Sequence, residues 1–235
     1  IADIMPVDVP ESDWADLSVV FATSAGDVRR NALSDFTSIK RNGKIAMRLP
    51  EGVSLVNVRI CDDGDDVMLV TAGGRAIRFP ATDLRVFSSR ESTGVRGIRL
   101  AAGDWVVSMS VIRHFEATPE ERAAYLKMRR AQEGVIEEEG EAEAEAEAGE
   151  DEADIGNGQL ALERFAEMSA AEDLILTITA QGIGKLSSSH DYPVRGRGGQ
   201  GVRAITTGPR GGALVACFPV ERSDQVMLDI PISSY

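Results

Sequence analysis

The sequence predicts an all-β array of four-stranded, propeller-like blades, about three in number and incomplete at both ends, with an acidic helical insertion. Two observations predict it. Apolar runs that end in glycine recur three times at matched spacing, and one central stretch accounts for the whole of the chain's negative net charge.

Residues Val19–Gly26 read VVFATSAG, Val67–Gly74 read VMLVTAGG and Ile175–Gly182 read ILTITAQG. Each is an apolar, β-branched run stopped by a glycine, which marks a strand entering a tight turn. A second glycine follows each time: Gly43 opens GKIAMRL, Gly94 opens GVRGIRL and Gly201 opens GVRAITT. A third then precedes another apolar run, at Gly52, Gly103 and Gly212. Second and third glycines lie 9, 9 and 11 residues apart, and the first two copies are offset by 48 to 51 residues. Four-stranded units of about 40–50 residues are the mark of a propeller-like array. One blade cannot bury both of its faces, so it needs neighbours.

The ends continue the pattern. Ile4-Met5-Pro6-Val7 is similar to Cys217-Phe218-Pro219-Val220 and reads as the closing strand of a preceding blade. Gln225-Val226-Met227-Leu228 matches Asp66-Val67-Met68-Leu69 and reads as the first strand of a further blade. No glycine follows between Asp229 and Tyr235, so that copy is abandoned.

The 235 residues include 25 basic and 38 acidic side chains, a net charge of -13. Between Glu116 and Asp173 lie 19 acids and five bases, a net of -14, so the remainder carries +1. Charge of this kind is read segment by segment. The acidic stretch opens with Thr118-Pro119-Glu120-Glu121, a capping box with proline at the first helical position, and predicts a helix through Ala131. Glu137–Asp154 is low in complexity, has no possible core and reads as disordered. Gln159–Glu172 has helical spacing at Leu160, Leu162, Phe165 and Met168. The insertion reads as a solvated excursion. The organisation is thus 1–115 (the end of one blade plus two blades), 116–172 (insertion) and 173–235 (a third blade and the start of a truncated fourth).

Several function classes drop out. No apolar run approaches the roughly 20 residues that span a bilayer, and Ile1–Pro10 lacks the basic start of a signal peptide. Cys61 and Cys217 sit in strand-like runs, which excludes a disulfide scaffold and fits a reducing compartment. His114 and His190 are too few for a zinc site. Asp62, Asp63, Asp65 and Asp66 lack calcium-loop spacing and read as a solvated turn between blades. Ser187–Asp191 sets Ser, His and Asp side by side in sequence, but a triad forms in space. No catalytic and no metal-binding residue is assigned.

VMLVTAGGRAIRF (Val67–Phe79), STGVRGIRL (Ser92–Leu100), FATSAGDVRRN and NGKIAMRL resemble the C-terminal β-pinwheel domain family of DNA gyrase A subunits. The resemblance covers the repeats and excludes the insertion. It implies a DNA-binding and DNA-wrapping fragment of an ATP-dependent, bacterial type II topoisomerase that introduces negative supercoils. The catalytic tyrosine, ATP and Mg2+ would belong to other domains or subunits, so the fragment itself takes no cofactor. Tyr125 and Tyr192 do not match the context of that tyrosine. The implied partners are double-stranded DNA, the rest of the gyrase A protein and the gyrase B protein in an A2B2 complex, in the cytoplasm and away from membranes. The alternatives are the topoisomerase IV counterpart, which resembles STGVRGIRL less, or a propeller-like protein-interaction scaffold.

The family's wrapping signature has the form QRRGGKG. Arg195-Gly196-Arg197-Gly198-Gly199-Gln200-Gly201 is similar: it keeps Arg197, Gly198, Gly199 and Gly201, and departs at Arg195, Gly196 and Gln200. Phosphate contacts supply affinity without sequence information, and glycines beside arginines let backbone N–H groups approach a phosphate. Further bases flank each second glycine: Lys40, Arg41 and Lys44; Arg90, Arg96 and Arg99; Arg195, Arg197 and Arg203. They should recur on successive blades as a discontinuous basic rim along a bent duplex. Strand alternation puts Arg96 with Ile98 on one face and Val95, Gly97 and Arg99 on the other. Arg29, Arg30, Arg75, Arg78 and Lys185, after the first glycines, are weaker candidates, and Trp14 and Trp105 read as packing residues.

A carboxylate run in reach of a basic rim competes with DNA for it. Deleting residues 134–154 is therefore expected to tighten duplex binding at low salt, as measured by fluorescence anisotropy. Unchanged affinity there would make the run a plain spacer.

Overall fold

The computed structural model describes residues 5–37, 41, 43–89, 92–133, 160–208 and 211–227. The low-complexity run and the segment after Met227 lie outside the described residues, as does the disorder expected of that run.

The strands are β1 (Ser18–Thr23), β2 (Asp27–Ala32), β3 (Leu55–Cys61), β4 (Asp65–Thr71), β5 (Arg75–Pro80), β6 (Val95–Arg96), β7 (Val106–Arg113), β8 (Leu174–Thr179), β9 (Gly184–Ser188), β10 (Val202–Arg203) and β11 (Leu214–Val220). They form three antiparallel sheets, ordered β3-β1-β2-β6, β7-β4-β5-β10 and β11-β8-β9. In each, the strand after the third glycine pairs with the first strand of the hairpin before it, as the repeat implies.

The strand after the second glycine behaves differently. Val95 and Arg96 of the second copy pair with β2 of the first blade, and Val202 and Arg203 of the third copy pair with β5 of the second. Four strands per blade is right for the first two blades, but one of the four is lent by the next copy. The corresponding segment of the first copy, 43–49, forms no strand, and its Ile45 is 75% exposed. A ladder strand needs a partner edge, and this segment is paired with none among the described residues. For the same reason Met5–Val7 and Gln225–Met227, expected as strands, are irregular.

All nine repeat glycines have a positive φ, from 69° to 99°. The constraint is tightest where a strand is lent. A Cβ on Gly94 would lie 2.3 Å from the Val28 carbonyl oxygen, and one on Gly201 would lie 2.1 Å from that of Ala76. A Cβ on Gly43 would meet nothing within 4 Å.

The blades pack face to face. On β4, Val67 and Leu69 join a core shared with the first blade, while Met68 and Val70 join a core shared with the third. The unbroken run VMLV reflects burial on both faces. Arginines reinforce each boundary. Buried Arg30 donates to the Ala81 carbonyl (3.0 Å) and pairs with Asp63. Arg78, at the equivalent place, donates to the Ser189 carbonyl (2.9 Å), the Arg113 carbonyl (2.8 Å) and Asp66 (2.6 Å). The aspartate loop is therefore more than a solvated turn: Asp66 is wholly buried because it neutralises Arg78.

The insertion also departs from a solvated excursion. Helix α1 spans Pro119–Glu133, two residues beyond the expected end, and opens on the expected capping box: Glu121 N donates to Thr118 Oγ1 (3.2 Å) and Thr118 N to Glu121 Oε2 (2.9 Å). Helix α2 spans Leu162–Ala170. Both dock on the third blade through His190. Its Nε2–H donates to the Met168 carbonyl (2.9 Å), and the Tyr125 and Phe115 rings meet it edge to face. Ser188 and Asp191 cap the short turn that presents it, so the Ser-His-Asp run is a structural motif.

Two expectations follow. Gly43→Ala should cost about 1 kcal/mol for its φ alone, whereas the overlap at Gly94→Ala or Gly201→Ala adds about 1–3 kcal/mol; urea denaturation measures the difference, and equal losses would contradict strand lending. Burial, opposed by the Met168 carbonyl, holds His190 below its ordinary value, and Arg78 adds to the lowering while Glu172 and Asp191 oppose it. The unfolded chain thus takes up protons first as pH falls through about 6.5. Docking of α2 is stable above that pH and weakens below it. Amide exchange in α2, corrected for intrinsic rates, should quicken from pH 7.5 to 5.5, and His190→Gln should flatten the change.

Candidate nucleic-acid interface

Strand lending decides where the arginines go. β6 is only two residues long because the next two amides, of Gly97 and Ile98, both turn to the Gly26 carbonyl (2.8 and 3.2 Å). Ala204 and Ile205 do the same to Gly74 (2.8 and 3.5 Å). This kink breaks the expected alternation. Ile98 is buried, and Arg96 and Arg99 are both exposed.

The Arg-Gly loop of the third copy lies along this kinked segment of the second. Gly198 N donates to the Gly97 carbonyl (2.6 Å), Arg99 N to the Gly199 carbonyl (2.8 Å) and Arg197 Nη1 to the Arg96 carbonyl (3.1 Å). Arg197 Nε also donates to the Asp83 carbonyl (3.2 Å). Segments about a hundred residues apart thus meet in one seam at 96–99 and 197–199, and Arg96, Arg99, Arg195, Arg197 and Arg203 are exposed. Gly198 holds a φ of 84° at the close approach. Gly199 is exposed and Gly201 half-buried. Burial pushes the Asp27 carboxyl up, and the Arg96 guanidinium opposes this.

Arg41 is exposed, while Lys44 donates to the Asp35 carbonyl and lies over the Phe36 ring. Lys44 stands in register with Val95 and Val202, one place before Arg96 and Arg203. Lys40 and Arg90 lie outside the described residues. Sequence reasoning passed over Arg48, exposed and in register with Arg99; both stand five residues after a second glycine.

Of the weaker candidates, Arg75 and Lys185 are exposed, and Arg75 donates to the Gly201 carbonyl (3.4 Å). Arg29, Arg30 and Arg78 are buried at blade boundaries and do not reach the surface. Arg29 donates to Asn31 (2.8 Å) and to the Ser92 carbonyl (2.6 Å). Trp14 packs as expected, and Trp105 is half exposed. Burial pushes the Cys61 and Cys217 thiols up to about 12, which leaves them poor nucleophiles at neutral pH. No helix among the described residues is long and apolar enough to cross a membrane.

Comparison with known proteins places this geometry. The family model of the DNA gyrase C-terminal domain, beta-propeller, matches residues 18–62, 65–113 and 173–221, more than half of the chain and the three repeats found above. The chain is 49% identical over 233 residues to the DNA gyrase A protein of Granulibacter bethesdensis, covering 97% of this chain and 25% of that protein. It is 40% identical over 228 residues to the DNA gyrase A protein of Rickettsia bellii, covering 97% of this chain and 24% of that protein. It therefore spans about a quarter of the length of these relatives. The fold is shared with the crystal structure of the C-terminal domain of DNA topoisomerase IV, at a TM-score of 0.58 and 15% identity, over 88% of this chain and 47% of that one. On the repeats, their strand pairing and these matches, the chain belongs to the family of the DNA gyrase C-terminal β-propeller domain.

Proposed function

We propose that this chain is the DNA-binding and DNA-wrapping part of a gyrase A protein. One observation carries the reading: the Arg-Gly loop of one module is hydrogen-bonded along residues 96–99 of the preceding one, which brings exposed Arg96, Arg99 and Arg197 together, while Arg195 and Arg203 of the same module are exposed on backbone bonded to β5. A seam of exposed arginines on kinked backbone suits a phosphate backbone rather than base edges. It gives affinity that is independent of sequence and steeply dependent on salt.

In this reading the fragment does no bond chemistry. It holds a curved duplex while other parts of an ATP-dependent type II topoisomerase cut, pass and reseal DNA, with the gyrase A and B proteins joined as A2B2 in the cytoplasm on the chromosome. ATP and Mg2+ act in those other parts. The gyrase relatives at 49% and 40% identity favour gyrase over topoisomerase IV, whose likeness is one of fold.

Duplex binding measured from 50 to 500 mM salt tests the reading. The log-log slope should be several units for the unmodified chain. Arg96→Gln with Arg197→Gln should reduce it by about two and weaken binding alike for unrelated sequences. No duplex binding, with the fold intact by circular dichroism, would favour a protein-interaction scaffold instead.

A further inference from the structure

Each blade boundary has two halves. The outer edge of one hairpin accepts, and the strand after the second glycine of the next module is lent to it. The three modules make this contact twice. One half of each kind is then unpaired among the described residues: the outer edge of β9, and the segment 43–49.

The β9 edge keeps the form of an acceptor. The Gly26 and Gly74 carbonyls each take two amides of the lent segment, whereas the Gly182 carbonyl, third in that series, takes none among the described residues. Residues 28–30 of β2 and 76–78 of β5 are buried where the next module pairs with their strands. Their equivalents Gly184, Lys185 and Leu186 are all exposed. Leu186 stands where Arg30 and Arg78 cross the other two boundaries, so this edge offers an apolar contact in place of a charged one.

Segment 43–49 keeps the form of a donor. Gly43 holds a φ of 84°, as Gly94 and Gly201 hold 99° and 69°. Those two glycines press against a carbonyl of the accepting strand, that of Val28 or Ala76, and at Gly43 this neighbour is missing.

The register makes the two halves complementary. Arg96 lies opposite Asp27, and Arg203 opposite Arg75. Counted from the same glycines, Ile45 would lie opposite Ile183. These isoleucines are 75% and 47% exposed. Facing each other across a ladder they would cover one another, and such cross-strand β-branched pairs stabilise a sheet. An unpaired edge beside apolar side chains is a template for another chain. One donor and one acceptor on the same chain make a heterologous, head-to-tail contact. Two copies of three blades make six, within the roughly four to eight blades of closed propellers.

We propose that the β9 edge of one copy takes residues 43–49 of a second copy as its fourth strand, with Ile45 against Ile183. The chain thus self-associates head to tail through the contact that it already makes twice within itself.

Sedimentation velocity of the whole chain over a rising concentration series should show a monomer giving way to a dimer. Ile45→Asp sets a charge against Ile183 and should abolish that change. Because Ile45 is exposed, thermal unfolding at the lowest concentration should stay the same. A covalent trap reads the register directly. Opposed residues of an antiparallel pair have Cα atoms about 4.5–5.5 Å apart, within reach of a disulfide. Under mild oxidation, an Ile45→Cys chain carrying a mass tag should become disulfide-linked to an untagged Ile183→Cys chain. A tagged Leu49→Cys chain, four positions along the segment, should not. Cys61 and Cys217 are buried and do not compete. A chain that stays monomeric throughout leaves β9 to some other strand and overturns the second copy as its occupant. Equal linkage from positions 45 and 49, or association that survives Ile45→Asp, overturns the register.

Discussion

A two-residue strand has no stability of its own. β6 and β10 exist because the preceding blade offers an unpaired edge, and that edge is satisfied only by the following module. The rest of the architecture depends on this exchange. It makes adjacent blades inseparable without breaking backbone hydrogen bonds, and it fixes the path of the chain from one blade across the face of its neighbour. Arg30 and Arg78 add a second bond at the same boundaries by donating to the Ala81 and Ser189 carbonyls, equivalent atoms of successive modules. The third module has Leu186 at this place, half exposed, so the arginine link stops there.

The same exchange produces the outer seam. Arginines on a segment confined to its own blade would sit on separate rims. Lent to the neighbour and kinked at Gly97, residues 95–99 instead expose Arg96 and Arg99 beside the Arg-Gly loop of the next copy. The result is a group of exposed arginines on adjoining backbone. That form suits an extended polyanion, whose affinity grows with the number of phosphates met.

The insertion separates its charges. Its described ends are helices tied to the third blade by aromatic contacts and by His190, and three of their acids are engaged by local arginines: Glu121 and Glu167 by Arg164, and Glu172 by Arg129.

The glycine pattern determined the module count and the hairpin boundaries, and the motifs around those glycines carried the family resemblance. Each of those glycines sits where φ is positive, and that requirement is local, so it is written in the sequence. The capping box at Thr118 was legible for the same reason: it is a matter of a few neighbouring residues. Tertiary structure alone decided which blade receives each lent strand, and that Arg29, Arg30 and Arg78 are buried while Arg96 and Arg99 both emerge. A buried arginine and an exposed one look alike in sequence. What separates them is a partner such as Asp66 or a carbonyl of the next blade, brought close by hydrogen bonds between residues far apart in the chain.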